Sequence, residues 1–334
     1  MTESELDDLL STPRAETVAA LQQCPGDVII LGAGGKMGPT LARMVRRATA
    51  DNRRVIAVSR WSSRAAERAL NDAGVQTIGC DLLDRDPVAK LPDAPNVIFM
   101  AGHKFGTTGA PAMTWGMNVL VPAYCAERYR DSRIVAFSTG NVYALTPNSD
   151  GGSKETDQPA PVGEYASSCL GRERVFELYA ARYGTRSAIV RLNYAIDLRY
   201  GVLVDLALKV WRGDEVSVAM GFVNVIWQGD ANRIAIECLP HTSSPPFIIN
   251  VTGTETLSVR QLAERLGQAF GKPVRFAGSE RDDALLSNTS RMRSTFAAPS
   301  VTIDEMITRV AGWVAHDGPL LGKPTKFEAR DGKF

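Results

Sequence analysis

The chain has 334 residues and 36.1 kDa, with 44% hydrophobic, 22% charged and 7% aromatic residues, a composition with material for a large core and without the bias of disordered or fibrous chains. Lys+Arg 38 against Asp+Glu 37 leaves a formal charge of +1, so no global field recruits nucleic acid or an anionic membrane. No stretch approaches ~18 consecutive apolar residues, and the opening MTESELDDLL is acidic where a secretory signal is basic, so a cytoplasmic protein without a membrane or nucleic-acid partner is expected.

Residues 1–25 read as an appended helix packed on the outside, with Leu6, Leu9, Leu10, Val18 and Leu21 at roughly helical spacing before Cys24-Pro25-Gly26. From Asp27 the pattern changes. Short apolar runs at Val28–Leu31, Val55–Val58, Val97–Ala101, Ile134–Ser138 and Ala188–Arg191 alternate with helical segments near 36–48, 62–73, 111–130 and 164–183. That alternation predicts a doubly wound α/β protein built on a parallel sheet, the Rossmann arrangement.

Beyond Asn193 the pattern loosens. Gly201–Arg212 is followed by strand-like Glu215–Met220 and Val223–Trp227, a helix at Asp230–Leu239, a strand at Phe247–Val251 and a helix at Val259–Phe270 capped by Thr256 or Ser258. The expected division is a helical extension (1–25), a dinucleotide-binding unit (26–195, with 222–252 returning to it), and a smaller substrate lobe with a tail (196–221 and 253–334). The last residues, 318–334, have no periodicity and read as an extended tail.

Cys24, Cys80, Cys125, Cys169 and Cys238 are odd in number and widely spaced, which predicts reduced thiols. His103, His241 and His316 lie near no cysteine or carboxylate cluster of ligand spacing, so no metal site is expected.

The strand Val28–Leu31 runs into Gly32-Ala33-Gly34-Gly35-Lys36-Met37-Gly38 and then a helix with Leu41, Met44 and Val45 on one face. Gly32 permits a tight turn, Gly35 close approach of backbone to a pyrophosphate, and Gly38 close helix–strand packing. The helix N-terminus supplies unpaired N–H groups and the positive end of its dipole. No Gly-Lys-Ser/Thr follows, which excludes a Walker A loop. The second strand ends Ala57-Val58-Ser59-Arg60, without the carboxylate that grips ribose hydroxyls in NAD binders. Ser59 and Arg60, with Ser63 or Arg64, suit a 2′-phosphate instead, which makes NADP the first expectation and NAD the second.

Further landmarks make residues 27–275 resemble the extended short-chain dehydrogenase/reductases of the NAD-dependent epimerase/dehydratase family. Asp81-Leu82 matches the family's adenine-contacting position, Met100-Ala101-Gly102 its small-residue segment beside the coenzyme, and Asn118 its helix asparagine. Ser138-Thr139-Gly140-Asn141-Val142-Tyr143 resembles the strand end that carries the catalytic hydroxyl, here Thr139. Gly163-Glu164-Tyr165-Ala166-Ser167-Ser168-Cys169 resembles the Tyr-x-x-x-Lys helix, with Tyr165 as the proton-transfer phenol and Cys169 where the lysine stands.

The resemblance implies that the phenol exchanges a proton with a substrate hydroxyl or carbonyl while the coenzyme exchanges a hydride, the lysine lowering the phenol's pKa and contacting the nicotinamide ribose. Working as a base near neutrality needs a drop of some 3 units from a free value near 10, about 4 kcal/mol, and Cys169 cannot supply it by positive charge. Three readings stay open: Lys104 compensates as an auxiliary cation; Tyr165 stays protonated and acts only as an acid; or catalysis is lost and the protein is an NADP(H)-binding sensor or scaffold. Cys169 as a nucleophile is a fourth, for which the sequence places no activating histidine.

Arg191-Leu192-Asn193 resembles the family's Arg-x-x-Asn strand end with the asparagine one place early. Arg199, Lys209, Arg212 and Arg233 are candidate cations for a substrate diphosphate. The implied substrate is a sugar, sugar nucleotide or related polar carbonyl compound, and the implied assembly is a homodimer through 111–130 and 164–183.

Overall fold

The computed structural model describes residues 1–104, 106 and 109–333; Phe334, the end of the expected tail, lies outside the described residues. Helices α1 (Glu3–Leu10) and α2 (Ala15–Gln23) precede β1 (Val28–Leu31), α3 (Gly38–Ala48), β2 (Val55–Ser59), α4 (Arg64–Asp72), β3 (Gln76–Gly79), α5 (Arg85–Ala89) and β4 (Asn96–Phe99). Next come α6 (Pro111–Trp115), a π-turn (Gly116–Leu120), α7 (Val121–Arg128), β5 (Arg133–Thr139), the short β6 (Thr146–Pro147), α8 (Gly163–Tyr183) and β7 (Arg186–Leu192). The remainder runs β8 (Ala195–Ile196), α9 (Val202–Arg212), β9 (Glu215–Ser217), β10 (Phe222–Val223), β11 (Ile226–Trp227), α10 (Gln228–Glu237), β12 (Phe247–Val251), α11 (Val259–Phe270), α12 (Ser290–Thr295) and α13 (Ile303–Ala315).

Seven strands form one sheet in the order β12-β7-β5-β4-β1-β2-β3, every neighbour parallel. The order reverses between β1 and β4. A parallel sheet needs both faces covered, which is why β1 is apolar throughout, β4 is apolar after Asn96, and both are buried along their whole length. One face packs under α3 and α10 through Leu41, Val45, Ile234 and Ala235, the other under α7 and α8 through Val121, Cys125 and Phe176. A separate cluster joins α9, α11 and α13 through Leu206, Leu266 and Val310 beyond the C-terminal ends of the strands.

Several expectations need correction. The single outer helix of residues 1–25 is two helices, because Pro13 lacks an N–H and interrupts the ladder between them. Neither lies merely on the outside: Leu6 and Leu10 belong to the cluster around α9, and Leu21 and Cys24 to the sheet's own core. Residues 222–252 contribute β12 to the main sheet and α10 to its cover, while the expected strand Val223–Trp227 divides into β10 and β11 around Asn224. That side chain leaves the ladder to donate to Glu255 O and accept from Ser287 N, both at 2.9 Å. Within the expected helix 111–130 the π-turn carries Asn118, as such turns often do at functional sites.

The tail is irregular but strapped down. Leu321 N donates to Arg199 O at 3.0 Å, Thr325 donates twice to Asp205, Phe327 is buried, and Arg330 is ion-paired with Asp283. Helices α12 and α13 lie in the stretch 253–334, where the sequence predicts no helix beyond Val259–Phe270. Among the described residues no helix is long and apolar enough to cross a membrane, and no group of three metal-ligating side chains forms.

Candidate active site

At the switch between β1 and β4, the glycine turn forms the floor of a cavity of about 820 Å³. Gly32 has φ +88°, and a Cβ there would lie 2.5 Å from Ala101 N; a Cβ on Gly38 would lie 2.2 Å from Ala33 O. Turn and helix therefore press on their neighbours in a way only glycine allows. Gly35 is different, with nothing nearer than Gly32 O at 3.6 Å, so its open side faces the cavity. Helix α3 begins at Gly38 with no side-chain cap on its first N–H groups. This cradle fits a pyrophosphate, which would take the place of the cap.

The expected coenzyme residues fall into two sets. Gly32, Gly35, Lys36, Met37, Gly38, Gly102 and Lys104 line the cavity, as do Thr139 and Tyr165. Ser59, Arg60, Asp81, Leu82, Ala101, Asn118 and Cys169 do not line it. Ser59 lies under the turn, where a Cβ on Gly34 would be 2.3 Å from its Oγ. Arg60 is 65% exposed and reaches Asp81 at 3.6 Å, while Leu82 is part of the core. Ser63, which lines the cavity, caps α4, and Arg64 pairs with Glu67 at 2.8 Å. Asn118 is a buried hub: it accepts from His103 N at 2.8 Å and donates to His103 O at 3.0 Å and Ser168 Oγ at 2.9 Å, fixing the loop after β4 to α8.

At the opposite wall, the C-terminal end of β5 presents Thr139 to Tyr165 on the first turns of α8. The phenol hydrogen-bonds both the Thr139 hydroxyl and the Cys169 thiol. The first contact favours the phenolate and the second opposes it. Burial, chiefly, and then Cys169 push the phenol far above its ordinary range, against a pull from Arg172. Cys169, only 1% exposed, is likewise raised, by burial first. A thiol so held is no ready nucleophile.

Lys104 Nζ sits 5.7 Å from the centroid of the Tyr165 ring. Burial lowers its pKa to about 8. Lys36 Nζ lies 3.1 Å from the centre of the Tyr200 ring, and burial, with Lys104 and Lys323 nearby, lowers its pKa to about 7.

Sequence reasoning missed several residues of this wall. Arg172 lies seven residues after Tyr165 and three after Cys169, on the face they share, so helical periodicity was the signal. Tyr194 and Tyr200 approach from the segment after β7, Lys323 from the tail, and Glu3 and Asp7 from α1. Tyr194 holds φ +45°, an unusual conformation for a bulky side chain and one concentrated at working sites. Tail and α1 carry no local signal for such a role.

Of the four candidate diphosphate cations, three are engaged with carboxylates and the fourth lies elsewhere. Arg199 lines the cavity but is held by Asp197 at 2.8 Å and Asp7 at 2.9 Å; Lys209 pairs with Glu328 at 2.5 Å; Arg233 is buried between Asp230 and Glu237. Arg212 lies away from the site, beside a separate hollow near Trp211.

Fold and cradle together define a dinucleotide-binding protein of the doubly wound class. The sequence pattern of the NAD dependent epimerase/dehydratase family matches residues 28–195, and the chain belongs to that family. No curated protein matches it by sequence. Similar solved structures include UDP-glucose 4-epimerase from Thermotoga maritima with UDP-glucose (16% identity, 87% of this chain, 99% of that one, TM-score 0.72). The UDP-glucose 4-epimerase of Thermus thermophilus in complex with NAD (20%, 86% and 98%, 0.68) and the dTDP-glucose 4,6-dehydratase DesIV of Streptomyces venezuelae (19%, 87% and 97%, 0.72) are also similar. At these identities the likeness is one of fold.

Proposed function

We propose that the protein is a nicotinamide-dependent reductase of a carbohydrate-like carbonyl compound, with Tyr165 as proton donor. The observation that carries this reading is the setting of the phenol: Tyr165 lines the cavity beside Thr139, hydrogen-bonds Thr139 and Cys169, and is held by burial far above neutrality. Such a group gives a proton to a developing alkoxide and does not abstract one. Thr139, which lines the cavity beside it, would steady the same oxygen. Bound on the glycine cradle with its ring toward Tyr165, a reduced nicotinamide would supply the hydride. Gly32, Gly35, Met37 and Gly38 would hold its pyrophosphate, with Lys36 and Lys104 adding charge.

The adenosine end supports NADPH as the coenzyme. No carboxylate closes β2, and Arg60 is exposed, with only a 3.6 Å contact to Asp81 to give up for a 2′-phosphate. The engagement of Arg199, Lys209 and Arg233 with carboxylates supports a simple sugar or sugar acid over a sugar nucleotide, whose diphosphate needs uncommitted cations.

NADPH binding followed by fluorescence, and then NADPH consumption with a panel of keto- and aldo-sugars, tests this. The parent should turn over while Tyr165→Phe binds NADPH but does not. Undiminished turnover by Tyr165→Phe would refute the assignment. One observation favours a second reading, a coenzyme sensor: the hydrogen bond to Cys169 opposes release of the phenolic proton. Tight NADPH binding with no turnover of any carbonyl substrate selects it. For assembly, α6, the π-turn and α8 leave Met113, Trp115, Leu120 and Leu178 exposed, which supports pairing with a second copy; a monomeric mass in solution would refute it.

A further inference from the structure

Arg172 is 6% exposed, yet its side chain forms part of the cavity wall. One terminal nitrogen donates to Phe137 O at 2.8 Å and the other to Asn118 Oδ1 at 2.7 Å, both uncharged acceptors. Its Nε is buried without an acceptor. Of the five N–H donors of a guanidinium, two are therefore spent. The carboxylates nearest in sequence are committed elsewhere, Glu173 to Arg191 and Glu177 to Arg174, and among the described residues no ion pair includes Arg172. The chain makes room for this charge: a Cβ on Gly102 would lie 2.6 Å from Arg172 Nη2 and 3.2 Å from Asn118 Oδ1. A buried cation with neutral partners and donors unspent is costly to hold unless a ligand completes its shell.

We infer that Arg172 is the positioning cation of the site, its guanidinium taking the part left vacant at Cys169 by binding the hydroxyl oxygens at the nicotinamide end of the coenzyme beside Gly102 and Tyr165. This rests on the coenzyme reading above. Arg172 lies between the loop that would face the ribose and the helix that carries the phenol, and it touches both through Asn118 and its own backbone. Its fixed planar fork suits a pair of vicinal hydroxyls.

The test compares NADPH with ADP, which shares the adenosine diphosphate but lacks the nicotinamide ribose, as probes in calorimetry. Arg172→Gln should lose about tenfold or more in NADPH affinity, the worth of hydrogen bonds to a charged donor, with ADP unaltered. Adding Cys169→Lys to that variant should restore most of the loss. Equal weakening of both probes, or an Arg172→Gln variant that binds NADPH as the parent does, overturns the assignment while the coenzyme reading stands. If the glutamine variant does not fold, Cys169→Lys in the otherwise native chain decides. NADPH affinity should then stay unchanged because the role is already filled, and a tenfold gain overturns the inference. A parent that binds neither NADPH nor NADH refutes the coenzyme reading, and the assignment of Arg172 falls with it.

Discussion

Replacing Glu173 by glutamine should cost the fold about 3–5 kcal/mol, the penalty for leaving a buried charge without its partner. Arg191 and Glu173 are 2% and 0% exposed and form a two-pronged pair: Nη2 to Oε2 at 2.6 Å, with Nε 3.0 and 3.2 Å from the two carboxylate oxygens. Ser138 Oγ donates to the same carboxylate at 2.5 Å, and Arg191 Nη1 donates to Tyr143 OH at 2.6 Å, which passes its own hydrogen to Asn250 at 2.9 Å. Glutamine keeps the shape and loses the charge, so the guanidinium stays desolvated with only neutral acceptors.

Removing both charges, as Glu173→Leu with Arg191→Met, should be far milder than the sum of the single changes, because no orphan charge remains. The assay is urea unfolding of the parent, both single variants and the double, which gives the coupling energy directly. A loss below about 1 kcal/mol for Glu173→Gln, or a double variant as unstable as the sum of the singles, would refute the reasoning. Because Ser138 adjoins Thr139, the network also holds the strand end that presents Thr139 to the cavity.

Lys36 and Lys104, lowered to about 7 and about 8, are partly or largely neutral at pH 8 in the free protein, and a bound phosphate-bearing coenzyme favours their charged forms. NADPH binding at pH 8 should therefore take up protons, seen by calorimetry in buffers of different ionisation enthalpy, and Lys36→Met should reduce the uptake. In the alcohol-oxidising direction Cys169→Lys should move the alkaline limb of the rate profile down by about 3 units, from ~4 kcal/mol between charges ~4 Å apart at an effective dielectric near 20. An unmoved limb counts against proton transfer through Tyr165. Asp7→Asn releases Arg199 and Arg43 from the α1 carboxylate, and because Asp7 lines the cavity it should change substrate KM by several-fold with little effect on kcat; equal KM values would separate α1 from the site.

The parallel sheet and its phosphate cradle are legible in the sequence because both are local. Val28–Leu31 is uniformly apolar because it is covered on both faces, and Gly32 and Gly38 answer steric demands met within a few residues or from the next strand. Tyr165 and Cys169 share a helix face by spacing alone, and that spacing extended one more step reaches Arg172. Other features arise only when distant segments meet. Glu3 and Asp7 enter the wall because Leu6 and Leu10 anchor α1 in the cluster around α9, and Lys323 because Thr325 fastens the tail to Asp205. Likewise Arg199 looks like a candidate phosphate ligand in the text of the chain, and the fold gives it Asp7 from 192 positions away. Periodicity and backbone sterics act over a few residues and leave a mark in the sequence, whereas charge pairing and desolvation depend on separations through space that only the folded chain defines.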